Sequence, residues 1–143
     1  FVSAQNHWSL LDREAERELV PAAAHYGVGV IPYFPLAQGL LTGKVRRGEP
    51  IAAGTRLDGR RHLVTEQRLD QVEALRELAA SRGRSLLELA IGGLAARPAV
   101  GSVIAGATRP EQVRANAAAA EWVGRDEDLA AIDAVVPPPT AGI

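Results

Sequence analysis

Three short runs of mainly apolar, β-branched and aromatic residues, at positions 1–5, 28–34 and 102–105, are separated by longer stretches whose apolar side chains recur every three or four positions. Such alternation predicts parallel pairing, because each strand needs a long crossover to return the chain to the same end of the sheet, and therefore an α/β fold. The second run, Val28-Gly29-Val30-Ile31-Pro32-Tyr33-Phe34, lies between Gly27 and Pro35, and the third lies between Gly101 and Gly106, short enough for a buried parallel strand. The intervening segments carry their own start and stop signals. Residues 12–26 place Glu14, Glu16 and Glu18 early and end at Gly27, as a helix with acids near its positive end would. Leu69, Val72, Leu75, Leu78 and Ala79 hold helical spacing up to Gly83, after which Ser85 and Glu88 have the spacing of a capping box and open a helix that Pro98 ends. An alanine-rich helix over 110–122 and another over 126–136, stopped by three prolines, complete the predicted order βαβααβαα.

The connections are unequal. Helix-to-strand passages are tight, at Gly27 and at Ala99-Val100-Gly101, whereas residues 35–64 separate the second strand from its helix. Loops of that length are usually functional or disordered, and in α/β folds ligands gather at the carboxyl ends of strands, so this loop marks the expected working face. With 47% hydrophobic and 23% charged residues the chain suits a globular core, and a formal net charge of -1 gives no basic field for nucleic acid. The absence of cysteine excludes disulfides and thiolate chemistry, and together with the lack of an apolar run near the ~20 residues of a membrane span it leads to a cytoplasmic expectation. His7, His25 and His62 have no paired ligand spacing, so no metal site is expected. The chain contains no methionine and opens on Phe1, which suggests a fragment or a processed product.

Three blocks carry a resemblance. Ser3-Ala4-Gln5-Asn6-His7-Trp8-Ser9-Leu10-Leu11-Asp12-Arg13, then Pro32-Tyr33-Phe34-Pro35-Leu36-Ala37-Gln38-Gly39-Leu40-Leu41-Thr42-Gly43-Lys44, and Val103-Ile104-Ala105-Gly106-Ala107-Thr108-Arg109-Pro110-Glu111-Gln112-Val113 resemble, in order and spacing, the last segments of aldo-keto reductases. The likeness covers essentially the whole chain, so residues 1–143 are read as one partial aldo-keto reductase domain. It implies the C-terminal portion of a (β/α)8 barrel, about three βα units plus closing helices, where a whole barrel takes about 250 residues. It also implies an oxidoreductase that transfers hydride between NADP(H) and an aldehyde or ketone. In the family a tyrosine protonates the carbonyl with help from an aspartate, a lysine and a histidine, all in the earlier half, so none is carried over and no catalytic residue is assigned here. The chain alone is therefore expected to be inactive, and its open sheet edges and faces favour self-association. A non-catalytic nucleotide-binding or regulatory protein is the alternative, because barrels of this family also serve as channel-associated subunits.

The same resemblance distributes cofactor contacts. Tyr33, at the end of the second strand, can stack a flat ring, and the family places an aromatic there against the nicotinamide; Gln5, ending the first strand, offers the donors and acceptor that a carboxamide needs. The loop from Phe34, Pro35, Leu36 and Gln38 to Lys44 is implied to wrap the pyrophosphate, its glycines allowing close approach and Lys44 supplying charge; Arg56 is the basic residue expected to reach a phosphate. Gly106 leads into a helix N-terminus, where free N–H groups favour anions, and Thr108, Gln112 and Asn116 lie four apart along one face of that helix, implied to grip the adenosine end and its 2′-phosphate. Thr108 also has Glu111 three residues on, the spacing of a capping box. Many members have a basic residue where Gly106 or Gln112 stands here, which bears on the choice of NADP over NAD.

Overall fold

The computed structural model describes residues 1–140 and is an α/β structure with two parallel strands and five α-helices. Strand β1 (Ser3–His7) pairs in parallel with β2 (Gly29–Tyr33), Ser3 opposite Gly29 and His7 opposite Tyr33. Between them runs α1 (Leu19–Tyr26), ended by Gly27 at φ 66°, a left-handed cap that glycine adopts without a Cβ penalty. The helix expected over 12–26 is thus broken: Glu14–Glu16 form a separate 3₁₀ turn, and α1 begins only at Leu19. Pro21 accounts for the break, since in the interior of a longer helix its ring would collide with the carbonyl four residues earlier, whereas in the first turn its missing N–H costs nothing.

The third expected strand is not formed. Residues 102–105 meet β2 only at one isolated bridge, Tyr33 with Ile104, and the preceding Val100 makes another with Val30; between the two the register slips by one residue. Val30 donates to the Ala99 carbonyl at 2.6 Å, so the even-numbered N–H groups of β2 face this segment. The next such position is Pro32, which has no N–H, and the ladder is interrupted there.

The four later helices are α2 (Glu66–Ser81), α3 (Leu86–Ala95), α4 (Pro110–Ala119) and α5 (Asp126–Val135). Ser85 and Glu88 close the capping box on α3, the Ser85 hydroxyl accepting from the Glu88 N–H at 3.2 Å and the Glu88 carboxylate accepting from the Ser85 N–H at 2.8 Å. The Ser85 N–H and hydroxyl, with a further bond from Arg84, hold the Glu88 carboxyl below its usual range. Leu69, Val72, Leu75 and Ala79 are buried on α2 as the periodicity predicts. The core lies on one side of the sheet, where Val30 and Pro32 of β2 join Trp8, Leu10, Leu40, Leu41, Leu75, Leu89, Leu94 and Ile132. Burying such side chains stabilises by about 1.5–3 kcal/mol each. Ser3, Gln5, Ile31 and Tyr33 occupy the other, more exposed face. No helix among the described residues is long and apolar enough to cross a membrane.

A charged clasp ties the start of the chain to its last helix. Arg13, 5% exposed, donates to Glu16 at 2.7 and 2.6 Å and to the Val136 carbonyl, and pairs with Asp133 at 2.8 Å. Asp133 also accepts from Arg97 at 3.1 and 2.5 Å, and Glu16 accepts from the Trp8 indole N–H at 2.8 Å. Burial would lower the Arg13 pKa, but hydrogen bonds and charge from Glu16 and Asp133 outweigh it and raise it. At Asp133 burial pushes upward, and the bonds from Arg97 and Arg13 outweigh that and hold the carboxyl low.

Candidate functional site

Phe34 closes β2 in the left-handed region at φ 56°, where a bulky residue is strained, and Ala37 (φ 47°) and Gln38 (φ 62°) follow it. Strain of about 1–3 kcal/mol per residue persists only where the surroundings enforce it, and it concentrates at binding sites. Here Ala37–Thr42 form two short 3₁₀ turns separated by a kink at Gln38 and Gly39, with Ala37, Leu40 and Leu41 buried and Thr42 Oγ1 donating to the Gly39 carbonyl at 2.7 Å. Arg76 of α2 pins the far side of the loop, donating to the Val45 carbonyl at 2.8 Å.

The turns frame a shallow cleft of about 100 Å³ lined by Phe34, Pro35, Leu36, Gln38, Gly39, Thr42, Arg56 and Gly106. Six of the residues singled out above therefore share one surface. Arg56 comes from the far end of the long loop, and its guanidinium lies 5.3 Å from the centre of the Phe34 ring, within cation–π range. Arg60 donates to the Gln38 side-chain oxygen at 2.9 Å, which fixes that amide at the rim. Asp58, between them, is bound by Arg61 at 2.7 Å and by the Gly54 N–H at 3.1 Å; the Arg61 bond first and then the Gly54 bond lower its pKa.

The remaining candidates divide. Tyr33 adjoins the cleft through Phe34, their rings 5.3 Å apart and edge-on, and Gln5 shares the exposed sheet face with Tyr33. Lys44 is exposed and lines neither cleft; its N–H reaches Thr42 Oγ1 at 3.4 Å. Thr108 lies in a second, wider surface hollow at the start of α4, with Ala107, Arg109, Pro110, Val113 and Arg114. The capping box read from Thr108 and Glu111 does not form: the helix is capped at Arg109 without a side-chain bond. Instead Gln112 reaches back, its side-chain oxygen accepting from the Thr108 N–H at 2.8 Å and its hydroxyl at 3.1 Å. A side chain of the same length, one position further on, takes the donor in its place. Gln112 and Asn116 are half-buried, on the helix face that also carries buried Ala119. Thr42, Arg109 and Arg114 were not singled out by sequence reasoning; their signal was proximity to glycines and to a helix start, which is too common to select them.

Charge distinguishes this end of the molecule. Among the described residues Lys44, Arg46, Arg56, Arg60, Arg109 and Arg114 have no carboxylate partner, while every other arginine is ion-paired. Four of them adjoin the two hollows: Arg56 lines the first, Arg60 bonds to Gln38 at its rim, and Arg109 and Arg114 line the second, while Lys44 and Arg46 lie elsewhere on the long loop. An array of this kind, with backbone N–H groups at a helix N-terminus, is suited to a polyanionic ligand. No three His, Asp or Glu side chains among the described residues converge on a metal-sized site.

Comparison with known proteins places these features in a family context. The model of the Aldo/keto reductase family matches residues 1–137. The uncharacterized oxidoreductase YrpG of Bacillus subtilis is 36% identical over 139 residues, 97% of this chain and 41% of the relative. A probable voltage-gated potassium channel subunit beta of Oryza sativa is 36% identical over 118 residues, 78% of this chain and 36% of the relative. The NADH-specific methylglyoxal reductase of Escherichia coli is 35% identical over 119 residues, 80% of this chain and 36% of the relative. The chain thus spans about two fifths of the length of the curated relatives it matches.

Proposed function

The chain belongs to the aldo/keto reductase family, and from that premise we propose that it holds the cofactor in an oxidoreductase acting on small aldehydes or ketones, as part of a (β/α)8 barrel. The cofactor of this reading is NADP(H), which supplies the hydride. The observation that carries it is the gathering of unpaired Arg56, Arg60, Arg109 and Arg114 around the Phe34–Arg56 cleft and the start of α4.

The residues present fit a dinucleotide. Tyr33 backs the nicotinamide and Gln5 bonds its carboxamide, both from the open sheet face. Pro35, Leu36, Gln38 and Arg56, which line the cleft, hold the pyrophosphate with Phe34 keeping Arg56 in place, and Lys44 adds charge from beyond its edge. Gly106 leaves room beside Arg56, and Thr108, Gln112 and Asn116 take the adenosine end. A reduced nicotinamide coenzyme and the absence of cysteine both suit the cytoplasm. The family's tyrosine, aspartate, lysine and histidine are not among these residues, so carbonyl protonation belongs to another part of the protein.

The full-length protein carrying Arg56→Ala tests the reading by titration with NADPH and with NADH. A hydrogen bond to a charged group is worth about 1.5 kcal/mol or more, so affinity should fall roughly tenfold, and the loss should shrink as salt rises. Unchanged affinity for both coenzymes would overturn it; tighter binding of NADH than NADPH in the unaltered protein would confine the reading to NAD.

The likeness to a channel subunit favours a second reading, a nucleotide-binding regulatory subunit with little turnover. Steady oxidation of NADPH by the full-length protein across a panel of aldehydes separates the two.

A further inference from the structure

The chain has two Phe, two Tyr and two Trp in 143 residues, yet one Tyr and one Phe meet a histidine on the open face of the sheet. His7 closes β1 directly opposite Tyr33 in the register. Their rings lie 5.7 Å apart at an interplanar angle of 12°, a parallel stack within the usual range. Phe34 stands edge-on to both, 5.8 Å from His7 and 5.3 Å from Tyr33. The far edge of the imidazole is tied as well: Nε2 is 3.6 Å from Asp12 Oδ2, and Asp12 is itself held by the Ser9 hydroxyl at 3.0 Å and by Arg68.

Burial does not explain the arrangement, because the His7 side chain remains 42% exposed. What the arrangement does is set the His7 ring nearly parallel to Tyr33 and the Phe34 ring edge-on to it, so that both neighbours limit the orientations the Tyr33 ring can take. We infer that His7 is a positioning residue, which acts through Tyr33 to set the plane on which a flat cofactor ring can stack. The inference rests on the reading of Tyr33 as the nicotinamide support.

The full-length protein with His7→Ala, His7→Phe and Tyr33→Ala provides the test, through NADPH titration by fluorescence, single-turnover hydride transfer and thermal melting. His7→Ala should weaken NADPH binding about two- to tenfold, the range of one aromatic pair, and slow single-turnover transfer. His7→Phe restores the stack without the Asp12 contact and should recover most of both. Melting temperatures of the two His7 variants should stay near that of the unaltered protein. If Tyr33→Ala impairs binding and His7→Ala does not, the role of His7 is overturned and that of Tyr33 stands. If neither changes binding, the placement of the nicotinamide on Tyr33 falls, and this inference with it. Should His7→Ala fail to fold, His7→Phe decides: a folded variant with weakened NADPH binding overturns the stacking role, and one that binds normally supports it.

Discussion

At the residue scale, local chemistry and long-range contact separate cleanly. Ser85 and Glu88 are three apart, so their reciprocal bonds follow from helix geometry and could be read from the chain. Phe34 and Arg56 are brought together only by the path of the loop, and no spacing rule predicts that their side chains meet. Gln112 is intermediate: its place on the α4 face was legible, but its hold on Thr108 emerged from a competition between side chains for one backbone donor. That hold leaves the Gln112 amide N–H groups for a ligand. Gln112→Ala and Asn116→Ala in the full-length protein should each weaken coenzyme binding by about 0.5–1.5 kcal/mol, a few-fold to about tenfold, with the single-turnover rate at saturating coenzyme nearly unchanged. Contacts at the adenosine end are remote from the transferred hydride and equally strong in ground and transition states, so their loss acts on affinity alone. A reduced hydride-transfer rate at unchanged affinity would show that the stripe lies elsewhere.

At the element scale, α5 is held to the rest of the chain by charge as well as by Ile132. Asp133 faces two arginines, both nearly buried, and removing it leaves them short of a partner. Breaking a buried pair costs about 3–5 kcal/mol; because Glu16 and the Val136 carbonyl still serve Arg13, Asp133→Asn should cost about 2–3 kcal/mol at neutral pH. The Asp133 carboxyl is held below the ordinary aspartate value of about 3.9, so its stabilisation is complete above that pH and disappears as pH falls through the lowered value. Denaturant melts should therefore show the gap between the unaltered protein and Asp133→Asn narrowing in acid. A gap that is constant from neutral pH down to about pH 2 would mean that the clasp contributes through shape and not charge.

At the scale of the whole molecule, the arrangement is one-sided. The helices and the core cover one face of a two-stranded sheet, and Gln5, Ile31, Tyr33 and, nearby, Ile104 remain partly or well exposed on the other. The 143-residue chain prepared alone is expected to self-associate, since open edges and apolar faces invite pairing. It should also leave NADPH oxidation with aldehydes at background. Size-exclusion chromatography with light scattering and a coenzyme-oxidation assay check both; a monomer that turns over aldehydes would contradict the division of labour proposed above.

The sequence by itself determined the kinds of element and their order, because hydrophobic period, caps and helix stops act over a few residues and are written in adjacent positions. Gly27, Ser85 and Glu88 work in this way, and so do the three blocks that carry the family likeness. Tertiary structure decided the rest. It left the third strand as two bridges, since pairing depends on which neighbour the Pro32 nitrogen would have had to serve. It joined Arg13 to Val136, Arg60 to Gln38, His7 to Tyr33 and Arg56 to Phe34. Those partners are set by how the core packs and where the long loop can then run, and core packing is a property of all the elements at once.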